Sequence, residues 1–183
     1  MALTDPQPAS KPAFTVIGEN PTRLWGLTSE VRANRIARAA NLATTGEERG
    51  SRVLANAAFA FDPAWMGHIV GQPGTVLTLG GVPALAHVRD HDEAQAVIAA
   101  MEQARPLDGT ALHVLAFEDG PTVENKTLRK RETPFVIPLR PETVRRIERA
   151  SYFGAYKGVT DVLTKYLWPE WALVLTRVAA ITA

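Results

Sequence analysis

Cysteine is absent from the 183 residues. Disulfides, thiolate metal sites and thiol catalysis are therefore excluded. No stretch of about eighteen uninterrupted apolar residues occurs, so no complete transmembrane helix lies within the sequence. The N-terminal stretch lacks a basic segment followed by an apolar one, and so gives no sign of a secretory signal. The phosphate-binding spacings of Walker A and G-x-G-x-x-G are missing. So is the G-x-S-x-G elbow, which leaves a hydrolase triad without positive support. What is present suits a folded chain: 46% hydrophobic and 21% charged residues argue against disordered, collagenous and low-complexity classes. At 19.9 kDa the chain has room for one domain, or one small domain and an appendage.

A formal net charge of +1 conceals an asymmetry. Residues 1–121 hold nine Lys and Arg against thirteen Asp and Glu, whereas residues 122–166 hold ten against five. The final segment, 167–183, adds only Glu170 and Arg177. An acidic front, a basic stretch and an apolar end suggest a domain boundary near residue 121. A basic stretch ahead of an apolar segment suits an anionic membrane surface, and equally suits a solvated helix pair packed on the front domain. The acidic front disfavours a nucleic-acid partner.

The front reads as α/β. Residues 1–12, with three Pro, read as a loose tail. Residues 13–18 (AFTVIG) form a short buried strand, and Ser29 N-caps a helix to about Asn41. A loop over 44–51 leads to a strand over 52–56. Asp62 and Pro63 open a short helix as N-cap and N1. Strands over 75–79 and 84–88 flank Gly80-Gly81, a hairpin turn. Asp90 and Glu93 stand at N-cap and N3 spacing, and Ala94, Val97, Ile98 and Met101 follow the i, i+3, i+4, i+7 rule of a helix that ends by Pro106. A last strand covers 111–117. Strands alternating with helices predict a mostly parallel sheet covered on both faces.

Behind it, Pro138 and Pro141 punctuate an extended basic linker over 122–140, and Pro141 starts a helix to about Ser151. After Gly154 and Gly158, an apolar stripe (Val159, Val162, Leu163, Tyr166, Leu167) faces away from Lys157, Asp161 and Lys165. Pro169 breaks this helix between Trp168 and Trp171. The run from Trp171 to Ala183 carries only Arg177 and ends without a stop signal, as if a membrane helix with an interfacial Trp belt had been cut. Residues 141–183 are thus expected to be juxtamembrane helices and the start of a membrane segment.

A loop between a strand end and a helix N-terminus is where α/β folds receive phosphates. Here that loop holds Gly18, Asn20, Thr22 and Arg23, with Arg32 on the helix that follows, the candidate residues for binding a nucleotide or CDP-alcohol; an ordinary strand–helix loop with exposed Arg is the alternative. Residues 22–28 (TRLWGLT) resemble the signature loop of sugar-nucleotide nucleotidyltransferases, G-x-G-T-R-L-x-P-L-T followed by P-K. Arg23 falls on that family's phosphate-gripping arginine. The two glycines fall on Glu19 and Pro21, and the P-K pair falls near Arg32-Ala33. Glu repels phosphate and Pro removes an N–H donor. Ala58 stands where the family's metal-binding Asp is expected, in the stretch 53–63 (VLANAAFAFDP). The resemblance, covering roughly residues 13–117, implies a nucleotidyltransferase-like (GT-A-like) domain that has lost the carboxylate needed to hold Mg²⁺.

A second resemblance lies further back. Residues 126–135 (KTLRKRETPF) and 156–177 (YKGVTDVLTKYLWPEWALVLTR) are similar to the segment just ahead of the membrane domain in bacterial CDP-alcohol phosphatidyltransferase-family proteins with a nucleotidyltransferase-like N-terminal domain. Those enzymes transfer a phospho-alcohol group from a CDP-alcohol to a second alcohol and release CMP. Their motif, D-x-x-D-G-x-x-A-R then G-x-x-x-D-x-x-x-D, holds two divalent metals and is absent here. The resemblance implies that catalysis, with Mg²⁺ or Mn²⁺, lies beyond residue 183, that this chain holds no cofactor or catalytic residue, and that it sits on the cytoplasmic side of the inner membrane. It also allows a homodimer formed through the membrane domain. Lys126, Arg129, Lys130, Arg131, Lys157, Lys165, Trp168 and Trp171 are then candidate headgroup and membrane contacts, each basic residue contributing about 1 kcal/mol near an anionic leaflet. His87 and His91 share i, i+4 spacing, but a strand–helix break between them spoils a metal site. Two alternatives remain: a working cytidylyltransferase that makes a CDP-alcohol, and a non-enzymatic domain that docks at the membrane.

Overall fold

The computed structural model describes residues 12–44, 51–120, 123 and 134–154. The basic cluster at 126–131 and everything after residue 154, including Lys157, Lys165, Trp168 and Trp171, lie outside the described residues. Among the described residues, no helix is long and apolar enough to cross a membrane.

The expected strands form, and they assemble into a mixed sheet. β1 (Ala13–Ile17), β2 (Arg52–Asn56), β4 (Thr75–Leu79), β5 (Val82–Val88) and β6 (His113–Ala116) line up in the order β1-β2-β5-β4-β6. The β1–β2 and β4–β6 pairs are parallel, whereas β5 runs antiparallel to both β2 and β4. The expectation of a mostly parallel sheet is corrected at its centre. Gly80 and Gly81, both at positive φ (+59° and +77°), make the tight turn predicted from sequence. A two-residue turn can only reverse the chain, so β5 folds back onto β4 and separates it from β2.

Helices cover both faces. α1 (Ser29–Ala39) and α2 (Pro63–Val70) lie against the side that carries Val53, Ala55, Leu77 and Leu85. α3 (His91–Glu102) covers Leu54, Val76, Ala86 and Val88 with Ala94, Val97 and Met101. Period-2 alternation along β2 and β5 supplies both cores at once. Two caps fall where sequence puts them: the Asp62 carboxylate accepts from Ala64 N–H, and that of Asp90 from Glu93 N–H. The cap of α1 is displaced by one residue. Thr28 Oγ1 accepts from Val31 N–H, while Ser29 is buried and donates its hydroxyl to Ala57 O at 3.0 Å. Asn41, at φ +63°, follows the helix in the left-handed conformation.

A second, two-stranded sheet pairs β3 (Phe59–Phe61) antiparallel with β7 (Val136–Pro138). Two further backbone bonds, Asp62 N–H to Phe135 O and Leu139 N–H to Ala58 O, extend the pairing at either end. After β7, a 3-10 turn (Pro141–Thr143) opens into α4 (Val144–Gly154). Thr143 Oγ1 holds that turn by donating to Pro138 O at 2.6 Å and accepting from Arg140 N–H at 3.0 Å. Ile137, Leu139 and Ile147 then pack with Leu24 and Ala60 in one apolar cluster. Residues 134–152, divided by the sequence reading between a basic linker and juxtamembrane helices, are therefore joined to the α/β body by strand pairing and by buried side chains.

Candidate functional site

A pocket of about 520 Å³ opens over one end of the main sheet. β1, β2, β4 and β6 all point their C-terminal ends the same way, and the pocket lies at three of those ends. Asn56 is the last residue of β2, Leu79 and Gly80 close β4, and Glu118 follows β6 on a 3-10 turn (Phe117–Asp119). Val82 adds the first residue of β5. Ala58, in the turn before β3, and Phe59, the first residue of β3, line it together with Pro138 at the end of β7 and Leu139 and Arg140 just after it. The crevice outside the carboxyl ends of strands is the usual ligand position in open α/β sheets.

Most polar groups around this pocket already have partners. Asn56 is buried; its amide donates to Pro83 O at 3.0 Å and accepts from Ala58 N–H at 2.9 Å. A carboxylate oxygen of Glu118 accepts the Gly80 N–H, which ties the β6 exit to the hairpin turn. Arg140 differs. Its backbone is fixed by Thr143, yet no hydrogen bond or ion pair engages its guanidinium among the described residues. Ala58 is exposed and presents a methyl group to the pocket, at the position where the resemblance expects a metal-binding aspartate.

The residues expected from sequence to bind nucleotide are not gathered here. Gly18, Asn20, Thr22, Arg23 and Arg32 are absent from the pocket lining. Asn20 caps its own turn by accepting from Thr22 N–H at 2.9 Å, and braces the β7 exit by donating to Leu139 O at 3.0 Å. Arg23 is exposed and bonds to Gly26 O at 3.1 Å. Leu24 and Leu27 exchange two backbone bonds of 2.9 Å around Trp25 and Gly26, both at positive φ. This makes the second half of the loop a two-residue reversal in which the N–H groups of Leu24, Trp25 and Leu27 are taken by protein partners. Trp25 N–H donates to a Glu148 oxygen at 2.9 Å, which fastens the loop to α4.

Arg32 serves the fold. Its guanidinium donates to Phe61 O at 2.9 Å and lies over the Phe61 ring at 5.9 Å. Desolvation lowers its pKa to about 10, against the attraction of the Asp62 carboxylate. The Asp62 carboxyl is raised by burial, with the Ala64 N–H and Arg32 opposing. Arg32 therefore braces α1 against the β3–α2 junction.

The other end of β2 carries a second polar pair. Ser51 Oγ lies 2.6 Å from His87 Nε2, and His87 Nδ1 lies 3.0 Å from Ile69 O. The carbonyl accepts from Nδ1–H, so Nε2 accepts from the serine hydroxyl. Burial lowers the His87 pKa below 6.5, with the Ile69 and Val70 carbonyls opposing. His91 begins α3 and is exposed, and no group of three metal-ligating side chains occurs among the described residues. The neutral His87 gives a stability prediction. The unfolded chain binds the proton more readily, so its contribution is complete above pH 6.5 and falls as pH drops toward the lowered folded value. Urea midpoints should decline across that window, and His87→Gln should flatten this part of the profile. A midpoint rising on acidification in wild type, and unchanged in the variant, contradicts the assignment.

Comparisons of the chain with protein-family models, with curated proteins and with solved structures returned no match.

Proposed function

We propose that this chain is the N-terminal, non-catalytic portion of a membrane CDP-alcohol phosphotransferase of phospholipid or phospho-alcohol synthesis. In this reading the α/β unit is a nucleotidyltransferase-like domain that no longer transfers nucleotides. The observation that carries it is the exposed Ala58 in the wall of the pocket at the strand ends. A nucleotidyltransferase needs a carboxylate there to fix a divalent metal against the triphosphate; a methyl group supplies neither charge nor ligand. Arg140, whose guanidinium has no partner among the described residues, leaves the same pocket able to hold an anion. The rest of the reading follows the sequence resemblance: a cytoplasmic domain at the inner membrane, basic residues over 126–131 against lipid headgroups, and a Mg²⁺- or Mn²⁺-dependent catalytic domain further along the protein.

Sequencing the coding DNA past Ala183 tests this directly, together with assays of the encoded product. The expected frame continues into apolar helices with D-x-x-D-G-x-x-A-R. Membranes carrying the full product should release CMP from a CDP-alcohol with Mg²⁺, while the 183-residue chain releases no pyrophosphate from CTP. Mg²⁺-dependent pyrophosphate release by the chain itself, lost on Arg23→Ala, establishes the cytidylyltransferase alternative instead. A stop codon after Ala183, with liposome flotation that weakens in salt, favours the membrane-docking alternative.

A further inference from the structure

We propose that the pocket at the ends of β2, β4 and β6 is a metal-free site for a singly charged anion with an apolar body, and that Arg140 is its cation. The inference goes beyond the phosphotransferase reading and does not depend on it. The pocket's volume of about 520 Å³ is that of a small-molecule site. Its walls decide the ligand's body: Ala58, Phe59, Leu79, Val82, Pro138 and Leu139 are apolar. Its polar groups decide the charge. The Asn56 amide, the Gly80 N–H and the Leu139 N–H all have protein partners, so none needs a ligand to complete it. Among the described residues of the lining, the side chain of Arg140 alone offers unpaired donors, from a backbone held by Thr143 and continuous with buried Leu139. A guanidinium on a fixed backbone can grip a carboxylate, sulfonate or phosphate monoester with two parallel N–H bonds.

The count of charges sets the class. Arg140 and Glu118 are the ionisable residues in the lining, one of each sign. Glu118 repels a second negative charge, and a single carboxylate without a partner does not make a magnesium site. A free triphosphate therefore meets one cation and one opposing anion, whereas a monoanion pairs with Arg140 and lays its apolar part on the β3–β7 wall.

The probe is 8-anilinonaphthalene-1-sulfonate, a monoanion with an aromatic body, titrated into the intact 183-residue chain by fluorescence and calorimetry. Saturable one-to-one binding is expected. Arg140→Gln should raise the dissociation constant at least tenfold, Arg140→Lys by less, and Arg38→Gln, an exposed cation in the last turn of α1 and outside the lining, should leave it unchanged. Ala58→Trp should abolish binding by filling the pocket while circular dichroism stays native. Metal-free CTP should not displace the probe. No saturable binding, an unchanged constant in Arg140→Gln, or binding that survives Ala58→Trp overturns the site; displacement by CTP overturns the monoanion class. None of these outcomes alters CMP release by the full product, so the two readings fail separately.

Discussion

Replacing Ile147 by Ala lowers the unfolding free energy of the chain by about 2–5 kcal/mol, the range for deleting a fully buried aliphatic side chain. Ile147 is 0% exposed and sits in the cluster of Leu24, Ala60, Ile137 and Leu139. The cavity has little freedom to collapse. Its lining comes from the loop before α1, from β3, from β7 and from the β7 exit, each held by backbone bonds of its own. The measurement is urea unfolding followed by circular dichroism, with Arg145→Ala as the control, because Arg145 is exposed on the same helix. A surface change of that kind is expected within about 0.5 kcal/mol of wild type. The experiment separates two architectures. A juxtamembrane helix independent of the α/β body would unfold without moving the midpoint of the sheet, and Ile147→Ala would then lose less than about 1 kcal/mol. A helix integrated through Ile147 loses the full amount in one transition.

The same cluster shows why part of the fold was legible in sequence and part was not. Caps and turns are local: Asp62 before Pro63, Asp90 three residues before Glu93, and Gly80-Gly81 between two β-rich runs all specify their geometry within four residues. β3 and β7 are three residues each, too short for a period-2 pattern, and their pairing joins positions far apart in the chain. A charge break near residue 121 looked like a boundary, yet strand pairing carries the fold across it. The site follows the same division. Ala58 could be singled out from a motif, and Asn56 could have been found as the last residue of a predicted strand. Arg140 could not, because it reaches the pocket only through the non-local β3–β7 pairing. Residues 22–28 resemble a phosphate-binding signature, with Glu19 and Pro21 in place of its two glycines, but the second half of that loop closes on itself and on Glu148. A signature of side chains does not fix the direction of the amides.

The second large effect is expected at Trp65, where Ala should cost about 3–5 kcal/mol. Trp65 is 1% exposed, on the first turn of α2, and touches three separate stretches of chain. Its ring meets His68 on its own helix edge-on at 6.0 Å and Phe117 after β6 at 6.2 Å. Its Nε1–H donates to Pro134 O at 3.3 Å, at the point where the chain returns to enter β7. The alanine variant loses the apolar burial of an indole, leaves a cavity, and strips a buried carbonyl of its partner. Trp65→Phe separates these contributions: it keeps most of the ring and loses the hydrogen bond, so its expected cost is nearer 1–2 kcal/mol. Both variants are read by urea unfolding, with equal m-values as the check that the unfolded state is unchanged. A Trp65→Ala loss below about 1 kcal/mol contradicts the placement of Pro134 over α2, and with it the position of the β7 wall that carries Pro138, Leu139 and Arg140 to the pocket. A large loss in the alanine variant, mostly recovered by phenylalanine, means that the return of the chain after residue 133 is held chiefly by aromatic packing. The far wall of the pocket is then fixed by the same core that fixes the sheet.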